Sequence, residues 1–366
     1  MISDIGFVGF GLIAGSIAKA IRLKHPDFNI YVYNRNAPKV KDSLKLALSD
    51  GTVNELYSDL DSFSNCDIIF LCAPVLTNIS YLEKLKHIIK KDCILTDVGS
   101  VKGNIHKAIS ELSLDENFIG GHPMTGSDRT GYENSSALLM ENAYYLLTPT
   151  PSSKKQDVEF MFDLVKEMGS LPYIVDYKKH DEITAAISHL PHIIASSLVN
   201  VVHENDDSDA HMKTFAAGGF KDITRIASSS PEMWQSICLS NPEPIIKYID
   251  IFENNLNAFK KAIQNSDGST LYKTFEKARD YRNSIPSSSR GAISKVYEIY
   301  VDVPDVPGII AIIATILSSN SVSIKNIGIV HNREFEDGVL RIEFYSRKDA
   351  VDARDALSKY PYPVYD

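Results

Sequence analysis

A chain of 366 residues, 44% hydrophobic and 23% charged, has ordinary globular composition and, at ~150 residues per domain, the length for two or three domains. Its 38 Lys and Arg against 47 Asp and Glu give a net charge of −9, which argues against bulk nucleic acid or an anionic membrane as a partner. No apolar run is expected to approach the ~20 residues of a membrane span, since the longest candidate, residues 309–317, stops at Ser318-Ser319-Asn320.

The first third alternates short apolar runs with helical periods. Strands are expected over residues 5–9, 30–33, 68–71, 94–97 and 118–120, with a helix over 13–23 and further helical stretches between the later strands. This alternation indicates an α/β domain with a parallel, doubly wound sheet of Rossmann type over residues 1–176. Residues 144–147 and 173–175 read as late strands of that sheet. From 177 to 284 the pattern is helical, with helices over 183–202, 245–263 and 271–281. Helices this apolar are hard to bury in a domain of this size, so some are expected to pack against a second subunit in a homodimer. The stretch 283–294 contains Ser-Ile-Pro-Ser-Ser-Ser-Arg-Gly, and residues 285–294 read as a linker. The rest, 295–366, gives strand, helix, strand, strand, helix and a short last strand, a ferredoxin-like βαββαβ unit.

Strand one runs into Gly9-Phe10-Gly11-Leu12-Ile13-Ala14-Gly15-Ser16. The first Gly permits a tight turn, the second lets backbone approach a pyrophosphate, and the helix start attracts phosphate charge. The position between a strand and a helix is the context that this fingerprint requires. At the end of strand two, where an Asp would select NAD, stand Asn34 and Arg35. Asn34 can bond a ribose hydroxyl but repels nothing, and Arg35 can pair with a phosphate or stack on adenine, so NAD and NADP both stay open.

Two segments emerge at the carboxyl edge of the parallel sheet: Asp97-Val98-Gly99-Ser100-Val101-Lys102 and Gly121-His122-Pro123-Met124. Ser100 can donate and accept, and His122 can act as a base near neutral pH. Ser100 also suits a helix N-cap for the stretch after it. Taken together at one edge, the two point to catalysis. Ser188-His189-Leu190-Pro191-His192 puts two histidines on one helix face, and Pro191 suggests a bend; no acidic or Cys partner stands at zinc spacing, so no metal is expected. In Gly218-Gly219-Phe220-Lys221-Asp222-Ile223-Thr224-Arg225, Lys221 and Arg225 lie four apart on a helix and read equally as an anion site or a solvated basic face. The N-terminus lacks a signal-peptide pattern, and the four cysteines form no C-x-x-C pair, so a cytoplasmic protein with reduced thiols is expected.

These motifs, in this order over roughly the first three quarters of the chain, resemble those of the prephenate dehydrogenases, and the C-terminal unit, with Val303-Pro304-Asp305-Val306-Pro307-Gly308 before a helix, resembles an ACT domain. The resemblance implies NAD-dependent oxidative decarboxylation of prephenate to 4-hydroxyphenylpyruvate, with arogenate as the competing substrate. It implies His122 as proton acceptor from the ring hydroxyl, Ser100 orienting it, and Arg225 on the ring carboxylate. Ser188, His189 and His192 would line the substrate pocket, with Lys221 and His180 in support, Trp234 as a wall and Asp128 near the gate. Gly9, Gly11, Leu12, Ile13, Asn34, Arg35, Ala73 and Pro74 would hold the dinucleotide. For the ACT-like unit it implies tyrosine as effector, at Asp305, Pro307 and Gly308, or a purely structural domain. Two other readings compete: a β-hydroxyacid dehydrogenase relying on Lys221, and a catalytically silent nucleotide-binding regulator.

Overall fold

In the computed structural model, which describes residues 2–33, 42–126, 129–285, 297–304, 306–330 and 338–365, the chain divides into two units, Met1–Ser284 and Ile285–Asp366. The first unit begins with β1 (Asp4–Val8), α1 (Leu12–Lys24), β2 (Asn29–Tyr33), α2 (Asp42–Ser49), β3 (Glu55–Tyr57), β4 (Ile68–Leu71), α3 (Val75–Leu85), β5 (Ile94–Asp97) and α4 (Gly103–Glu111). The strands run parallel in the order β3-β2-β1-β4-β5. β1 and β4 are continuous buried runs because helices cover both sheet faces. Ile5, Phe7, Phe70 and Ile94 pack with Ile17 and Ile21 of α1 on one side. Val8, Ile69, Leu71 and Leu95 pack with Leu82, Leu85, Ile105 and Ile109 on the other. The strand order reverses at β1 and β4, and a crevice at the carboxyl ends of such a pair is where an α/β sheet takes its ligand.

β6 (Ile119–Pro123), β7 (Tyr144–Pro149), α5 (Lys155–Glu167) and β8 (Leu171–Ile174) follow. The expectation that β7 and β8 are late strands of the first sheet needs correction: β6-β7-β8 form a three-stranded sheet of their own, joined to the first by a parallel bridge between Leu95 and Phe118. β7 runs antiparallel to β6, which breaks the parallel series.

The helical part contains α6 (Tyr177–Thr184), α7 (Leu190–Asn205), α8 (His211–Phe215), α9 (Gly218–Thr224), α10 (Pro231–Ser240), α11 (Pro242–Gln264) and α12 (Gly268–Ser284). α6 and α7 are one run joined by a π turn, Ala185–His189, in which the Leu190 N–H reaches back five residues to the Ala185 carbonyl. Pro191 has no N–H to give the Ile187 carbonyl, and the wider turn is how the helix accommodates it. The expectation that no apolar stretch approaches membrane-spanning length is overturned here. Tyr177–Asn205 is long and apolar enough by length and composition, and 17% of its apolar window is buried within this chain. His180, Asp181, His189 and His192 interrupt the run and hide its overall hydropathy. Phe215 is 74% and Leu239 70% exposed, and α12 buries no residue.

The second unit holds β9 (Tyr297–Val303), α13 (Ile309–Ser319), β10 (Ile324–Val330), β11 (Gly338–Phe344), α14 (Arg347–Leu357) and β12 (Val364–Tyr365). Its antiparallel sheet has the order β10-β11-β9-β12, and Ile299, Val301, Leu340 and Ile342 pack with Ile313, Leu317, Ala353 and Leu357. The element order is the expected βαββαβ. Nearly all of the expected linker, and Asp305, lie outside the described residues.

Candidate active site

β1 turns into α1 at Gly9, whose φ is +89°. A Cβ there would sit 2.8 Å from the Ala73 nitrogen, so the turn after β1 and the end of β4 approach as closely as backbone allows. A Cβ on Gly11 would meet nothing within 4 Å, and no side chain caps α1 at Gly11. The uncapped N–H groups of Leu12 and Ile13 therefore border open space, which fits a pyrophosphate. Ala73 and Pro74 form the facing turn, braced by the buried Asn78, whose amide accepts from the Ala73 N–H at 3.1 Å and donates to the Leu71 carbonyl at 3.1 Å. Asn34 and Arg35 lie outside the described residues, as does Asp128. Gly9→Ala is expected to cost about 1–2 kcal/mol from backbone strain alone and to weaken NAD binding at least tenfold, measured by fluorescence titration.

At the carboxyl ends of β5 and β6 a buried ion pair fixes the segment that carries His122. Lys102 and Asp97 are both fully buried, with Nζ 2.5 Å from Oδ2. Lys102 Nζ also donates to the Gly121 carbonyl at 2.6 Å, and the Gly121 N–H donates to Asp97 Oδ1 at 3.2 Å. Gly121 must be glycine, since a Cβ would lie 2.6 Å from the Asp97 carbonyl oxygen. The pair thus clamps the residue that precedes His122.

His122, on β6, is half-buried, and its Nδ1 lies 2.8 Å from His180 Nε2. His180 Nδ1 in turn lies 2.8 Å from Asp181 Oδ1. Burial pushes the His122 imidazole well below its ordinary pKa of 6.5, helped by the nearby His180, Lys102 and His189. It is therefore neutral near pH 7, as a proton acceptor must be. Ser100 hydrogen-bonds no described residue, and the group within hydrogen-bond distance of His122 Nδ1 is His180 Nε2. Nor does Ser100 cap α4: the cap residue is Lys102, and Asp181 accepts the Lys102 and Gly103 N–H groups at 2.8 and 2.7 Å.

Trp234 of α10 gathers the helix residues. His192 stacks on its indole at 3.7 Å between centroids, and His189 meets it edge-on at 6.0 Å. Asn241 donates to His189 Nδ1 at 3.3 Å and to the Asp181 carbonyl at 2.9 Å. His189 Nε2 is then an N–H donor, and it and Trp234 Nε1 are buried without a hydrogen-bond partner. Two orphaned donors side by side suit an anionic or carbonyl acceptor. Ser188 is half-buried in the π turn, the kind of helix irregularity often found at functional sites. Lys221 and Arg225 do not share a regular helix as expected. α9 ends at Thr224, and Arg225 opens a 3₁₀ turn, Arg225–Ser228; both cations are exposed in this chain. Arg225 is near enough to His192 for its charge to help burial lower that imidazole.

Asp97, Lys102, Asp181, Asn241 and Asn78 were not singled out as site residues. Asp97 and Lys102 did carry a signal, as an acid at a strand end five residues before a base. His106 was also missed; it is buried on α4, bonds Thr148 Oγ1 at 2.9 Å and stacks on Tyr177. Burial holds His106 and His189 down at about 4. The unfolded chain takes up these protons near pH 6.5 and the folded chain does not, so their stabilisation is complete above 6.5 and is lost as pH falls toward 4. At pH 5 each removes about 2 kcal/mol, and calorimetry from pH 7 to 4.5 is expected to show Tm falling steadily.

Comparison with known proteins gives the context for this geometry. Residues 17–173 match the family model described as "Prephenate dehydrogenase, nucleotide-binding domain", and residues 176–277 match "Prephenate dehydrogenase, dimerization domain". The chain belongs to the prephenate dehydrogenase family. It is 38% identical over 365 residues to the prephenate dehydrogenase of Bacillus subtilis, covering 98% of both chains, so the similarity extends through the C-terminal unit. The structure of prephenate dehydrogenase from Aquifex aeolicus in complex with hydroxyphenyl propionate and NAD+ is 31% identical, with a TM-score of 0.73 over 78% of this chain and 99% of that one. Synechocystis arogenate dehydrogenase is 28% identical, with a TM-score of 0.69 over 77% of this chain and all of that one.

Proposed function

We propose that this member of the family oxidises prephenate with NAD, releasing CO2 and giving 4-hydroxyphenylpyruvate. The observation that carries the reading is the neutral His122, held by His180 at the carboxyl edge beside an open dinucleotide turn. The hydroxyphenyl propionate held by the Aquifex aeolicus relative has the ring and three-carbon acid of that product without its keto group. Gly9, Gly11, Leu12, Ile13, Ala73 and Pro74 hold the dinucleotide, with Asn34 and Arg35 on its adenosine ribose. When bound, NAD supplies the hydride acceptor. His122 takes the ring hydroxyl proton as the C4 hydrogen departs as hydride. Loss of the C1 carboxylate as CO2 then sends its electron pair into the ring, and His122 returns the proton to the phenolate oxygen. No net proton is released, so the site needs an acceptor that holds a proton briefly.

Ser100 contacts the substrate hydroxyl. Arg225 binds the ring carboxylate, where a planar guanidinium matches the acceptor. Ser188, His189, His192 and Trp234 line the pocket, with Lys221 in support and Asp128 near its gate. The functional division follows residues 1–176 for cofactor, 177–284 for substrate and dimerisation, 285–294 as linker and 295–366 as an ACT domain. The exposed apolar faces of α7, α10, α11 and α12 support a homodimer, which accounts for Tyr177–Asn205 in a cytoplasmic enzyme without a membrane. Tyrosine is the proposed effector. Gly308, with φ +90°, opens α13 without a side-chain cap, next to Pro307.

Arogenate is the second substrate to test, because the Synechocystis relative is an arogenate dehydrogenase. Reduced-cofactor formation is measured with each substrate, with NAD and NADP, with and without tyrosine. Turnover of prephenate with NAD, suppressed by tyrosine, is expected. Turnover of arogenate alone would correct the substrate, and tyrosine without effect would leave the C-terminal unit a structural role.

A further inference from the structure

Asp181, on α6, caps α4 from a different helix: Oδ1 accepts the Lys102 N–H and Oδ2 the Gly103 N–H. Backbone N–H groups only donate, so both carboxylate oxygens act as acceptors. Oδ1 also meets His180 Nδ1 at 2.8 Å, which places the proton on that ring nitrogen. A neutral imidazole carries one N–H, so His180 Nε2 is an acceptor. It lies 2.8 Å from His122 Nδ1, which must then carry the His122 proton. His122 Nε2 is left bare and bonds no described residue. A base needs this nitrogen unprotonated.

We propose that Asp181, acting through His180, is a positioning residue that holds His122 in the Nδ1–H tautomer, with Nε2 free to take the substrate proton. This rests on the reading of His122 as the acceptor. The other charged or titratable groups facing the pair are Lys102 and His189 toward His122, and Lys102 and Asp97 toward His180. Asp97 is already committed to Lys102, so Asp181 is the carboxylate hydrogen-bonded in line with the two rings. Once His122 is protonated at Nε2, its Nδ1–H still donates to His180, and Asp181 steadies the charge through that ring.

Three variants and two readouts test this. In Asp181→Asn the amide can turn its NH2 toward His180 Nδ1, which reverses both tautomers and puts the His122 proton on Nε2. Loss in kcat of about 10²-fold is expected. His180→Leu removes the acceptor and is expected to lose a similar factor. His180→Gln keeps a carbonyl that can accept from His122 Nδ1–H, so its loss is expected to stay within about tenfold, with the acidic limb of kcat/KM moved to lower pH because the carboxylate no longer supports the imidazolium. Nitrogen NMR of histidine-labelled protein at pH 7 is expected to show Nδ1–H on His122 in the wild type and a changed tautomer in Asp181→Asn. The NMR readout needs no substrate, so failure of the prephenate reading and failure of this proposal are distinguishable. A wild-type His122 protonated on Nε2 would overturn it. So would Asp181→Asn or His180→Leu within threefold of wild-type kcat, or three variants equally impaired with an unmoved acidic limb.

Discussion

His122→Asn is expected to lower kcat for prephenate oxidation by about 10²–10⁴-fold, the usual worth of a positioned proton acceptor. Asparagine is smaller than histidine and can still donate to His180 Nε2, so the segment between Gly121 and Pro123 should keep its place. The clamp on Gly121 comes from Lys102 and Asp97 and does not involve the His122 side chain. NAD affinity is therefore expected to be unchanged, because the Gly9 and Ala73 turns are untouched. Steady-state kinetics with a parallel NAD titration checks both halves. A variant that retains full turnover would show that His122 is not the proton acceptor.

The second large effect falls on stability. Lys102→Met is expected to destabilise the N-terminal unit by about 3–5 kcal/mol, because it leaves Asp97 charged, fully buried and without its cation. At about 2–4 °C per kcal/mol, Tm should fall by roughly 10 °C. The Gly121 carbonyl loses its donor as well, so His122 is released from the clamp and activity should drop with stability. Combining Lys102→Met with Asp97→Asn removes the uncompensated charge and keeps one acceptor oxygen, enough for either the Gly99 or the Gly121 N–H but not both, so part of the lost Tm is expected to return. A single variant with unchanged Tm would show that the pair carries no structural load.

What the sequence displays well is whatever local pattern decides. The buried run of β1, the glycine turn after it and the long helical periods of α11 and α12 are all local, and their positions agree with the structure to within a few residues. β3 escaped notice because Glu55–Tyr57 is three residues long and half polar, with no period to detect. The direction of β7 escaped because an antiparallel strand and a parallel one have the same side-chain alternation. At the site, His122 and His180 were each visible as residues, but their bond joins positions 58 apart and only the fold brings them together. Asp181 was hidden for a similar reason: an acid beside a histidine reads as a surface pair until α4 is known to start against it. Lys102 looked like the polar end of a motif, although it is among the most deeply buried large side chains of the described residues.

The most direct measurement is the stoichiometry of a single reaction mixture. Purified protein, prephenate and NAD are combined, and reduced cofactor, CO2 and 4-hydroxyphenylpyruvate are quantified together. Equal amounts of all three are expected, without net acidification beyond that of the CO2, and with the rate abolished in His122→Asn. Folded protein that binds NAD yet forms no reduced cofactor from prephenate would contradict the proposed reaction.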